Sequence, residues 1–248
     1  DVNRLYLRSL RLEERYPAAE TALRSLEDLV NRRVGVPDFP VAQFGWLGTE
    51  RNKLERTKGV RELGDDLYRT QDYTKAAEKY AACLAIDAEG VPGSAVGLNA
   101  GGRLHAVLHC NRAACLMALR RYSSAVEECT NALKIHSRYM KAILRRARCY
   151  GSLHRTVEAI SEYKRWLDLV EEAKKSDQMP QSPCLFDGPQ DVKADEVAQI
   201  QKELQESQMA KRREEASAKE EAERRRGRQF FEEQHSSSWR STGGSGAH

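Results

Sequence analysis

Three segments of this chain repeat one another, and the length of the repeat leaves few folds open. Leu63-Gly64, Tyr73, Ala76, Tyr80 and Leu84 mark the first segment. Arg112-Ala113, Tyr122, Ala125, Cys129 and Leu133 mark the second, and Arg146-Ala147, Thr156, Ala159, Tyr163 and Leu167 the third. Ala125 and Ala159 are 34 residues apart; Ala76 and Ala125 are 49 apart, one repeat plus 15 residues. The glycine-rich stretch 88–103 supplies that insertion. A weaker unit comes first: Leu7, Leu10, Tyr16, Ala19, Leu23 and Leu26. Apolar residues recur three and four apart, and nothing alternates with period two over a useful length, so the chain reads as helical throughout.

A 34-residue period with small residues at fixed places is the tetratricopeptide signature. Each unit is two antiparallel helices. Gly64, Ala113 and Ala147, with Ala76, Ala125 and Ala159, let the two helices approach closely, while Tyr80, Cys129 and Tyr163 fill the gaps between units. One such unit cannot cover its own apolar face, so units stack into a curved solenoid with a concave groove. The predicted fold is all-α: a right-handed tetratricopeptide-repeat superhelix followed by a long charged helix. The expected parts are a weak N-terminal unit and linker at 1–48, three repeats at 49–175 and a Pro-rich loop at 176–191. A charged helix follows at 192–234, then a flexible tail at 235–248. Val192, Val197, Ile200 and Leu204 give that helix a base to pack on the last repeat. Beyond Met209 it has no apolar stripe and stands in solvent, held by i,i+4 charge pairs.

Composition narrows the class further. Among 248 residues, 41 basic against 37 acidic side chains leave a net charge of +4, too small an excess to point to nucleic acid or an acidic membrane. No apolar run approaches the roughly 18 residues of a membrane span. Six cysteines occur without a C-x-x-C pair, and Cys83, Cys110, Cys129 and Cys149 lie in apolar-periodic segments. They read as reduced core thiols of a cytoplasmic protein. The start at Asp1, without an initiator Met or an apolar signal core, reads as a fragment or processed chain.

The first helix of each unit lines the groove. Arg61 and Asp65, four apart, share one face of the first strong unit; Asn111 lies in the second; Lys141, Arg145 and Arg148 lie in the third. Cations and an amide at such spacing suit an extended peptide bearing carboxylates. Arginine pairs in bidentate fashion, lysine acts as a point charge, and asparagine holds the peptide main chain.

Leu108-His109-Cys110-Asn111-Arg112-Ala113-Ala114 and Tyr139-Met140-Lys141-Ala142-Ile143-Leu144-Arg145-Arg146-Ala147 resemble the carboxylate-clamp repeats of heat-shock co-chaperones. The chain resembles J-domain co-chaperones that carry tetratricopeptide repeats, of the DnaJ subfamily C, member seven type, over roughly residues 3–172. The resemblance implies a peptide site of Arg61, Asp65, Asn111, Lys141 and Arg145. It also implies partners: the 70- and 90-kilodalton heat-shock chaperones, whose C-terminal Glu-Glu-Val-Asp carboxylates such a clamp holds. Asn111, Lys141 and Arg145 match the family by identity. Arg61 stands where the family has lysine, and Asp65 where it has asparagine. A carboxylate at position 65 would face the ligand's own, a repulsion on the order of 1–3 kcal/mol that Arg61 is placed to offset. The family's His-Pro-Asp motif is absent, so this chain alone is not expected to stimulate ATP hydrolysis. A J domain is expected beyond His248.

No phosphate loop, nucleophile elbow or H-E-x-x-H motif occurs, and no enzymatic role, cofactor or metal is expected. His105, His109 and Cys110 read as helix residues rather than zinc ligands. Arg224-Arg225-Arg226 near Phe230, Phe231 and Trp239 is cancelled locally by glutamates, which disfavours nucleic acid. The alternative to a co-chaperone is a scaffold whose groove takes an unrelated peptide or the chain's own charged helix.

Overall fold

The computed structural model describes residues 2–37, 39–86, 102–176 and 192–242. The glycine-rich stretch 88–103 and the Pro-rich loop 176–191 therefore lie almost wholly outside the described residues, as do 243–248 of the expected tail.

Nine α-helices occur among the described residues. They are α1 Val2–Leu12, α2 Tyr16–Arg33, α3 Trp46–Arg69, α4 Tyr73–Ala85, α5 Arg103–Ala118, α6 Tyr122–Ile135, α7 Met140–Ser152, α8 Thr156–Ser176 and α9 Ala194–Thr242. A short 3-10 helix, Val41–Phe44, leads into α3. Consecutive helices pack as antiparallel pairs and each pair stacks on the next, a tetratricopeptide-repeat solenoid.

The turn inside each pair explains the regular stacking. Glu14, Gln71, Arg120 and His154 adopt left-handed backbone angles (φ 56° to 65°), and the last two are one 34-residue period apart. Each ends its helix with the same two bonds: Gln71 N–H to Tyr68 O and Asp72 N–H to Leu67 O in the first strong unit, Arg120 N–H to Met117 O and Arg121 N–H to Leu116 O in the next. Glu14 and Arg15, and His154 and Arg155, repeat the pattern. This 6→1 and 5→2 arrangement satisfies carbonyls that a helix end otherwise orphans. The residue after each left-handed position opens the next helix, its carbonyl receiving the N–H of Ala19, Ala76, Ala125 or Ala159. At Asp72 the side chain also caps, accepting from Lys75 N–H at 3.3 Å. The weak N-terminal unit thus closes through the same turn as the other three.

The small residues do what close packing requires. Ala76, Ala113, Ala125, Ala147 and Ala159 are fully buried. A Cβ placed on Gly64 would sit 2.9 Å from Cε1 of Tyr80, closer than van der Waals contact permits. Gly64→Ala is expected to push Tyr80 aside and destabilise the protein by about 1–3 kcal/mol in a urea titration. An unchanged midpoint would show that α3 and α4 are not in this contact.

Cys83, Cys110, Cys115, Cys129 and Cys149 are free and buried, as core thiols should be. Burial raises the thiol pKa of Cys115 and Cys149 to about 11, so they are protonated at neutral pH.

Two boundaries differ from expectation. The N-terminal unit and its linker, expected to reach residue 48, end earlier, because α3 begins at Trp46. The charged helix runs to Thr242, eight residues past the expected end, and takes in serines expected in the flexible tail. Its base behaves as expected: Ile200 is fully buried, with Val192, Val197 and Leu204 packed around it against α7 and α8. Thr156 donates to Glu214 at 3.0 Å, and residues 212–229 are otherwise exposed. Lys211–Glu215, Arg224–Glu220 and Arg225–Glu221 pair along that exposed stretch. Among the described residues, no helix is long and apolar enough to cross a membrane.

Candidate peptide-binding groove

The first helices of three successive pairs meet on one cleft of about 210 Å³. Helix α3 contributes Asp65, Tyr68 and Arg69; α5 contributes Asn111 and Ala114; α7 contributes Arg145; Tyr80 of α4 closes the wall. Three of the five expected site residues, Asp65, Asn111 and Arg145, are therefore brought together from positions up to 80 residues apart in the chain. Repeat spacing explains this, because residues at equivalent places in stacked helices share one face.

Asp65 accepts a hydrogen bond from the Tyr80 hydroxyl at 2.7 Å. Burial and the adjoining carboxylate push the phenol's pKa far up, so Tyr80 remains a donor. Arg145 is largely enclosed and donates through Nη1 to the Cys110 carbonyl oxygen and to Cys110 Sγ, both at 2.8 Å. Burial opposes its charge, but the surrounding Cys110 and Tyr139 outweigh that and its pKa is raised. The main-chain anchor fixes the guanidinium plane at the cleft wall. Lys141 lies one turn before Arg145 on the same face of α7 and is exposed, but does not line the cleft.

Two expected groove cations are engaged elsewhere. Arg61 does not line the cleft. It pairs with Glu14 in the α1–α2 turn, and its Nε is 3.9 Å from Asp65. Arg148, expected to face the groove, instead makes a two-pronged bond to Glu203 of α9 at 3.0 Å on each arm. Burial disfavours the Glu203 charge, yet Arg148 and Gln199 outweigh it and hold its carboxyl below the ordinary range. The expected convergence of cations is thus corrected: of those four arginines and lysines, Arg145 alone lines the cleft. For Arg61 and Arg148 the cause is competition from carboxylates on elements outside the three clear repeats.

Tyr68 and Arg69 line the cleft without having been anticipated, although they fall three and four residues after Asp65 on one helical face. Arg69 is paired with Asp66. None of the cleft-lining residues belongs to α9. His109 and Arg112 both bind Glu128 of α6, at 2.8 and 2.7 Å. Arg146 and Glu162 repeat the Arg112–Glu128 bond one period later at 2.7 Å. These are interhelical struts within the pairs. Among the described residues, no group of three or more His, Cys, Asp or Glu is placed to hold a metal ion.

This groove lies on stacked helix pairs of the tetratricopeptide-repeat fold. Human DnaJ homolog subfamily C member 7 is 33% identical over 108 residues, 44% of this chain and 20% of that protein. The Hsp70/Hsp90 co-chaperone CNS1 of Saccharomyces cerevisiae is 27% identical over 115 residues, 46% of this chain and 27% of that protein. A solved structure of the Hsp90 co-chaperone Cns1 from the same yeast covers 73% of this chain and 48% of its own, with 19% identity and a TM-score of 0.47. No family model matches the chain. The chain spans about a fifth of the length of the DnaJ homolog it resembles.

Proposed function

We propose that this chain is the repeat region of a cytoplasmic co-chaperone or adaptor. Its groove takes the acidic C-terminal tail of heat-shock chaperones of the 70- and 90-kilodalton classes, and it binds rather than catalyses. The observation that carries this reading is the meeting of Asn111 and Arg145 on one cleft, with Lys141 one turn away. Asn111 supplies an amide for the peptide main chain, Arg145 a rigid fork for a carboxylate, and Lys141 a point charge at the rim. Asp65 lines the same cleft, and Arg61, outside its lining but 3.9 Å from Asp65, marks the other end of the proposed site. Relatives named as a DnaJ homolog and as an Hsp70/Hsp90 co-chaperone support the same reading.

Calorimetry of the full chain with a synthetic peptide ending in Glu-Glu-Val-Asp is the test. Binding is expected to weaken as salt is raised and to fall about tenfold in Lys141→Ala. Absence of binding at low salt, or affinity indifferent to Lys141→Ala, would leave the scaffold alternative in its place.

A further inference from the structure

The proposed site carries its own carboxylate. Glu14 sits at the left-handed position of the α1–α2 turn, where φ is 59°. Its two oxygens are shared between two arginines from different helices: Oε1 accepts from Arg61 of α3, and Oε2 from Arg103 of α5 at 2.9 Å. The side chain is only 13% exposed, and that of Arg61 only 24%. Next to it, Glu13 accepts from the Arg103 main-chain N–H at 3.5 Å, so the whole turn is seated on the start of α5. A carboxylate held by cations of two successive units is what the groove proposed above would offer an acidic ligand. Here the chain supplies the acid itself.

We infer that Glu14 is a specificity-determining residue of the groove: it occupies Arg61 as an internal carboxylate, so an acidic tail is gripped at the Arg145 end alone unless it displaces Glu14. The inference rests on the function proposed above. Charge balance at this end supports it, because Arg61 and Arg103 stand among three carboxylates, those of Glu13, Glu14 and Asp65. An arriving carboxylate meets no net positive charge there. Arg61 also cannot turn to a ligand without leaving Glu14 buried beside Arg103 with half its partners gone. A competitor that must first be displaced lowers apparent affinity by the fraction of molecules in which Arg61 is released. The groove therefore favours ligands with one terminal carboxylate group at the Arg145 end over ligands that need cations at both ends.

Titration of this chain and its variants with the Glu-Glu-Val-Asp peptide separates the possibilities. Glu14→Gln is expected to bind about tenfold more tightly than wild type. Glu14→Asp, a methylene shorter, should give a smaller gain. The gain should vanish when Arg61→Ala is added to Glu14→Gln, and Glu13→Gln, which alters net charge equally, should show none. Thermal unfolding of each variant accompanies the titrations, and Glu14→Asp carries the test should Glu14→Gln prove poorly folded. Equal affinity of wild type and both Glu14 variants overturns this inference while leaving the proposed function standing. The same gain in Glu13→Gln also overturns it, by assigning the effect to net charge. Absence of binding in wild type and Glu14→Gln alike overturns both.

Discussion

Replacing Arg145 by alanine is expected to weaken binding of an acidic C-terminal peptide by about 2–5 kcal/mol, thirtyfold or more, when measured by calorimetry at low salt. The size follows from the setting. The guanidinium is largely enclosed, its plane fixed by two 2.8 Å contacts to Cys110, so it meets a ligand carboxylate already oriented and with little left to immobilise. Truncation removes the charge and also the partner of the Cys110 carbonyl. A loss of fold is distinguished by Arg145→Lys, which keeps the charge but not the planar fork and should recover only part of the affinity. Undiminished binding by a folded Arg145→Ala protein would place the peptide site elsewhere.

Trp166→Ala is expected to lower the unfolding free energy by about 3–5 kcal/mol, read from urea titrations followed by helicity. Trp166 of α8 is 2% exposed and packs in one cluster with Ile143 and Ala147 of α7, Tyr163 and Val170 of α8, and Ile200 of α9. Three helices lose a shared neighbour at once, and the stiff surroundings collapse only partly into the space. Helix α9 should loosen first, since the buried part of its grip on the body lies against this cluster. A loss below about 1 kcal/mol would mean that the base of α9 is not docked as described.

Repeat periodicity made the stack of helix pairs legible before any coordinates, because small residues at interhelical contacts and bulky ones between units recur at a fixed distance. Gly64 under the Tyr80 ring is one such place, and Asp65, Asn111 and Arg145 fell on a single cleft by the same logic. The partners of the remaining cations were not legible. Glu14 lies 47 residues before Arg61, and Glu203 lies 55 after Arg148, in segments where the repeat is faint or has ended. Periodicity says which way a helix face points. It does not say which long side chain from another element reaches that face. Helix ends were misjudged for a related reason: α9 continues through Ser236, Ser237 and Ser238, where residue preference alone argued for a stop.

Helix pairs in this stack lean mainly on the pairs beside them, with the α1–α2 turn also reaching Arg103 of α5, and each closes through the same two-bond turn. Such a chain has no single keystone. Disorder can enter at either extremity, by fraying α1 and α2 or by releasing the base of α9, while the middle units persist. Damage at Glu14 or Ile200 should therefore appear as a peeling of one end, with hydrogen exchange quickening there while the amides of α5 and α6 stay protected.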